Sequence, residues 1–117
     1  MFVQKNRLRK EKDIKMVFSK GKSTYDSICG IKWKKNGLED TRFAIVIGTK
    51  VHKRAVRRNR LKRQYRDTLK SLLPHLPHDI DVLLLVRKEA LDLTAIERKE
   101  RLTSVFRKAK LLKEEKA

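Results

Sequence analysis

Cysteine is nearly absent: Cys29 stands alone, so no disulfide can form within the chain and nothing points to an oxidising compartment. Acids are scarce as well. Fourteen Asp and Glu face 32 Lys and Arg, a formal net charge of +18. A small chain so charged repels itself, which makes sense if a polyanion normally neutralises it. No apolar run approaches the roughly eighteen residues that a membrane span needs. The opening MFVQKNRLRKEK holds no apolar stretch of the kind a secretory signal requires. The expected setting is therefore cytoplasmic, without a membrane partner. Repeats and Ser-, Gln- or Pro-rich tracts are also missing.

Motifs for chemistry are lacking too. The sequence has no G-x-x-x-x-G-K, no H-E-x-x-H and no defensible serine-histidine-acid set. His52, His75 and His78 are scattered and have no Cys or acidic ligand set beside them, so no metal site is expected. Asp79 and Asp81 flank the start of a strand on one side; solvation at the strand end is their expected role. Cys29 reads as a small core residue. No catalytic side chain and no small-molecule substrate are expected.

What is present suffices for one fold. The chain has 117 residues, 39% hydrophobic and 39% charged, enough for one modest core. A single domain over 1–117 is expected, with 1–10 flexible until a partner binds. Ile14, Val17 and Phe18 at i, i+3, i+4 predict a helix from Glu11, closed by Gly21. Ser27 to Lys35 alternates. Cys29, Ile31 and Trp33 share one side; Ile28, Gly30, Lys32 and Lys34 share the other. Asn36-Gly37 signals a turn, after which Thr41 to Lys50 is expected to pair antiparallel with the first strand. There Phe43, Ile45 and Ile47 form a bulky face, while Ala44, Val46 and Gly48 form a small one. The small face with its lysines reads as a shallow basic groove. A helix is expected from Arg54 to Leu73, ended by Pro74. Ile80 to Val86 is a near-continuous apolar run, as in an interior strand covered on both faces. Thr94 and Glu97 make a capping box before a last helix with a stripe of Leu102, Val105, Phe106, Ala109 and Leu112. The fold class is α/β, a single-domain α-β sandwich in the order α-β-β-(β)-α-β-α.

The strongest functional signal lies between Lys50 and Lys70, with ten basic residues and one acid, Asp67. On a helical projection Leu61, Tyr65, Thr68, Leu69 and Leu72 fall within an arc of about 100°. Arg60, Arg63, Arg66 and Lys70 lie opposite, with Asn59 among them. Arg57 and Lys62 border the stripe, and Arg58 leaves past the first turn. A merely solvated face usually mixes both signs, because like charges at i, i+3 and i, i+4 repel. Arginine also outnumbers lysine, and its planar fork suits bidentate phosphate contact. A membrane helix would give its leucines to lipid, but this one needs them for the core. A helix-turn-helix DNA reader needs two adjacent helices, whereas this one is flanked by strands. RNA fits better. The other reading of the same surface is an RNA-binding protein of ribosomal type.

Lys53 to Arg63, KRAVRRNRLKR, resembles the arginine-asparagine-arginine signature of the bacterial ribonuclease P protein subunit, with Arg58, Asn59 and Arg60 at its centre. RLRKEKDIKMVFSKGKS resembles that family's first helix and glycine turn, TRFAIVIGTK the strand before the signature, and IDVLLLVRK the strand after it. The resemblance spans nearly the whole chain. It implies a protein partner of a catalytic RNA that removes the 5′ leader of precursor tRNA, with catalysis and Mg2+ on the RNA and no cofactor held by the protein alone. It implies a left-handed β-α-β crossover through the signature helix. It also implies catalytic-RNA contacts from Lys53, Arg54, Arg57, Arg58, Asn59, Arg60, Lys62, Arg63, Arg66 and Lys70. The leader groove would use Phe18, Lys20, Ile28, Gly30, Lys32, Lys34, Ala44 and Val46. Two roles stay open to Phe18, stacking on the leader or core packing with Ile14 and Val17. The sequence departs from the family at Ile14, where many members have a second phenylalanine, in the loop His52-Lys53-Arg54, and at Glu89.

Overall fold

In the computed structural model, which describes residues 4–112, the first helix α1 spans Glu11–Lys20 and ends at Gly21, whose amide donates to the Val17 carbonyl. Its apolar spacing buries Val17 and half-buries Ile14, but leaves Phe18 exposed. Four strands follow in the chain as β1 (Lys22–Tyr25), β2 (Cys29–Lys35), β3 (Arg42–Val46) and, after helix α2 (Ala55–Leu72), β4 (Ile80–Val86). Helix α3 (Ala95–Lys108) closes the fold. Its capping box is formed: the Glu97 amide donates to Thr94 Oγ1 at 3.1 Å and the Thr94 amide to Glu97 Oε1 at 2.9 Å.

The strand order is β1-β2-β4-β3. β4 pairs antiparallel with β2 along seven residues and parallel with β3 along five. The expected hairpin of β2 with β3 is therefore wrong, because β4 lies between them. The Asn36-Gly37 turn does form, with Gly37 at φ +70°, a backbone region that favours glycine. It carries the chain across the end of β4, where the Asn36 amide donates to the Asp79 carbonyl at 2.8 Å. The physical reason for the insertion is composition. Apart from Asp81, IDVLLLV is apolar on both faces and gains most at the centre, flanked by strands and covered above and below. β3 is also shorter than the expected Thr41 to Lys50, ending at Val46.

Two apolar clusters lie on opposite faces of the sheet. On one face α2 and α3 bring Leu61, Tyr65, Leu69, Leu102 and Phe106 against Cys29, Ile31, Phe43, Val82 and Leu84. On the other, α1 sets Val17 and Ile14 against Leu83, Leu85 and Ala44, with Leu8 completing the group. The segment expected to be flexible is packed in its described part. Asn6 donates to the Thr41 carbonyl at 2.9 Å, and the amide of buried Leu8 donates to the Phe43 carbonyl at 2.8 Å. Leu8 and Asn6 finish the open edge of β3, which outweighs the polar character of their neighbours. Residues 1–3 of that segment lie outside the described residues.

Asp81 also departs from expectation. It is buried, not solvated, and accepts from Arg42 Nε at 2.8 Å, Arg42 Nη2 at 2.6 Å and Asn36 Nδ2 at 2.9 Å. Arg42 reaches Asp13 of α1 as well, at 3.5 Å. The Asp81 hydrogen bond, then burial opposing it, set the Arg42 guanidinium, whose pKa is raised. This cluster fastens α1 to the sheet.

Candidate nucleic-acid interface

Helix α2 turns its leucines inward, as the spacing requires. Leu61, Tyr65, Leu69 and Leu72 are buried, while Arg57, Asn59, Arg60, Arg63 and Lys70 are exposed and Lys62 and Arg66 half-buried. Its start is electrostatically adverse. Arg54 caps it without a side-chain hydrogen bond, and the first turn holds no acid. Cations at a helix N-terminus oppose the macrodipole, and the free amides there suit an anion. Lys53 and Arg54 are exposed in the lead-in. Arg58 is the exception: its Nη1 donates to the His52 and Lys53 carbonyls, each at 2.8 Å, and holds the loop against the helix. Among the described residues the ion pairs join Lys5, Lys15, Arg42 and Arg101 to acids, and none involves a cation between Lys53 and Lys70. Among the described residues no ion pair neutralises the charge of this face.

The second surface lies across the sheet, where α1 covers only part of its face. Strand register sets two rows there: Ser23, Lys32, Leu83 and Ala44, then Tyr25, Gly30, Leu85 and Val46. At its border Phe18 is 54% exposed, which removes it from the core. Lys32 Nζ sits 3.9 Å from the Phe18 ring centroid and donates to the Phe18 carbonyl at 3.0 Å. Such a cation over a ring is mutually favourable. Val46 is exposed, Ala44 and Leu85 half-buried.

The remaining groove candidates divide. Lys20 is exposed in the last turn of α1. Lys34 is exposed but displaced to the row of Asp81 and Arg42. Ile28 does not belong to the groove: it is buried with the α2 and α3 cluster. Alternation fails there because Asp26 Oδ1 accepts the Ile28 and Cys29 amides at 2.7 and 2.8 Å, turning the chain before β2 begins. Gly30 is in the right row but buried, because the Tyr25 ring lies over it; a Cβ at Gly30 would collide with that ring. Tyr25 and Leu85 are the groove residues that sequence reasoning missed. β1 is only four residues long and mostly exposed, so it gives no periodic signal. Leu85 was hidden in the uniform apolar run of β4.

The profile of the family described as Ribonuclease P matches residues 2–110. The chain belongs to the ribonuclease P protein family. The ribonuclease P protein component of Latilactobacillus sakei subsp. sakei (strain 23K) is 37% identical over 110 residues, spanning 93% of this chain and 91% of its own length. That of Thermotoga maritima is 34% identical over 88 residues, spanning 75% and 74%. Among solved structures, the Staphylococcus aureus RNase P protein superposes with a TM-score of 0.84 at 26% identity, covering 92% of this chain and 97% of that one. The Thermotoga maritima protein, solved in complex with 1-(4-fluorophenyl)-2-thiourea, gives 0.78 at 29% identity, covering 93% and 100%. The chain is thus a protein subunit of ribonuclease P, with an RNA partner, in an endoribonuclease complex of tRNA processing.

Cys29 is buried, and burial, with Asp26 nearby, pushes its thiol up to about 12, far from a thiolate nucleophile. Among the described residues no three His, Cys, Asp or Glu side chains cluster as a metal site would need. No helix there is long and apolar enough to cross a membrane.

Proposed function

We propose that the chain docks on the catalytic RNA of ribonuclease P through the outer face of α2 and holds the 5′ leader of precursor tRNA in the groove beside Phe18. The observation that carries this reading is the row of cations from Lys53 to Lys70, none of them ion-paired with an acid among the described residues. Lys53, Arg54, Arg57, Asn59, Arg60, Lys62, Arg63, Arg66 and Lys70 would meet phosphates, while Arg58 shapes the loop that presents them. The groove is physically suited to a single strand: an open ring at Phe18, a lysine over it, and small side chains that let a backbone approach. Stacking tolerates any base, as a site for many leaders requires. β3, which carries Ala44 and Val46, runs through residues 47–54 into α2, so the two surfaces adjoin along the chain.

In this reading phosphodiester hydrolysis takes place on the RNA, which would hold the magnesium ions; bound there, they would supply Lewis-acid chemistry and activate water. The protein binds leader and phosphates and contributes no reacting group. Its cations offset phosphate repulsion, and only substrate, not product, has a leader to fill the groove. The proposed location is cytoplasmic, with the RNA. Reconstitution tests this. The chain should let a ribonuclease P RNA cleave precursor tRNA at magnesium concentrations where the RNA alone is slow. Absence of stimulation would sink the reading and favour an RNA-binding role of ribosomal type.

A further inference from the structure

We propose that Tyr25 is a second stacking platform, recognising a leader base next to the one at Phe18; this rests on the reading of the groove as the leader site. Tyr25 stands on the edge strand β1, directly paired with Gly30 of β2, and the row continues through Leu85 to Val46. The space that any other residue's Cβ would occupy at Gly30 is filled by Cγ, Cδ1 and Cε1 of the Tyr25 ring. The ring therefore lies down on the strand, one side spent on the Gly30 backbone. Yet 36% of the residue remains exposed. A side chain on Gly30 itself would cover that backbone more simply. Glycine there, with a ring from the neighbouring strand, replaces a fixed Cβ by a flat π surface.

The placement relative to Phe18 strengthens the case. Lys32, which holds the Phe18 ring and carbonyl, is the next same-face residue after Gly30. Same-face positions on a strand are about 7 Å apart. Two exposed rings thus overlie adjacent steps of β2, with exposed Val46 across the groove from Tyr25 and no acid in either row. A flat aromatic pair of this kind suits unpaired bases, which stack without regard to sequence.

The test uses holoenzyme reconstituted with a ribonuclease P RNA and measures the Kd of precursor tRNA, of mature tRNA, and of precursor tRNA with abasic leader nucleotides. Tyr25→Ala should weaken precursor binding about 5- to 100-fold and leave mature tRNA unchanged. Tyr25→Phe should bind like the parent chain. On the abasic leader Tyr25→Ala should have no further effect, which a merely structural tyrosine would not show. The double variant Tyr25→Ala with Gly30→Val refills the sheet surface without a ring, and should keep the loss. Equal weakening of precursor and mature tRNA, a loss that persists on the abasic leader, or recovery by Gly30→Val would overturn the proposal. Phe18→Ala separates the two layers. If it lowers precursor affinity alone while Tyr25→Ala does not, Tyr25 fails and the groove stands. If neither discriminates precursor from mature tRNA, the groove reading fails with it.

Discussion

At the scale of a residue, Asp26 decides where β2 begins and ties that point to α3. Its carboxylate accepts the Ile28 and Cys29 amides, and Arg101 Nε at 3.0 Å. Burial would raise its pKa, but the Cys29 and Ile28 amides and then the Arg101 guanidinium outweigh it and hold the carboxyl below its ordinary 3.8. A group depressed in the folded state stabilises fully above its unfolded pKa, and the contribution disappears as pH falls through the folded value. Urea stability should therefore drop below about pH 4. Asp26→Asn should be less stable at neutral pH and lose less on acidification. An identical acid limb in both proteins would assign the drop to other carboxylates. Neither this role nor the burial of Asp81 was legible in the sequence. Arg101 is 75 residues from Asp26, and Arg42 is 39 from Asp81; a carboxylate's solvation depends on a partner that local pattern does not name.

At the scale of an element, α2 was the most legible part of the chain because two periodicities agree on it. Leucines at helical spacing fix the buried side, and the excess of arginine then has only one side left. α1 and β4 were legible for the same reason, each carrying a strong apolar pattern of its own. Pairing was not: alternation in Cys29–Lys35 shows which residues share a face but not which strand lies alongside, and the Asn36-Gly37 turn looks the same whether the chain returns to β2 or passes β4. In the groove, Lys32, Ala44 and Val46 were read from alternation and Phe18 from the resemblance of the first helix, whereas Tyr25 belongs to a strand too short to show any. For α2 the consequence is measurable. Arg60→Ala and Arg63→Ala should each reduce the salt dependence of binding to the catalytic RNA by about one phosphate contact. Arg58→Ala should act differently, weakening binding through the released His52-Lys53 loop, with little change in slope. The check is log Kd against log salt for the three variants. A full unit lost at Arg58 and none at Arg60 would reverse these assignments.

At the scale of the whole molecule, +18 charges are carried by a chain whose described body measures 40 × 36 × 26 Å. Screening length is about 30 Å at 0.01 M salt and about 10 Å at 0.1 M. At the lower value the cations of α2 and those around the groove repel across the body; at the higher one they are largely insulated. Folding and RNA binding should then respond to salt in opposite directions. The thermal midpoint of the free protein should rise as salt goes from about 0.01 to 0.5 M, because screening relieves self-repulsion. Over the same range affinity for the catalytic RNA should fall steeply, since each phosphate contact releases a counterion that salt opposes. RNA at low salt should raise the midpoint in place of salt, by preferential binding to the folded state. Thermal melts across a sodium chloride series, with and without the RNA, read all three effects. A midpoint of the free protein that stays flat or falls with salt would mean that the cations are neutralised within the fold, contrary to the unpaired face of α2.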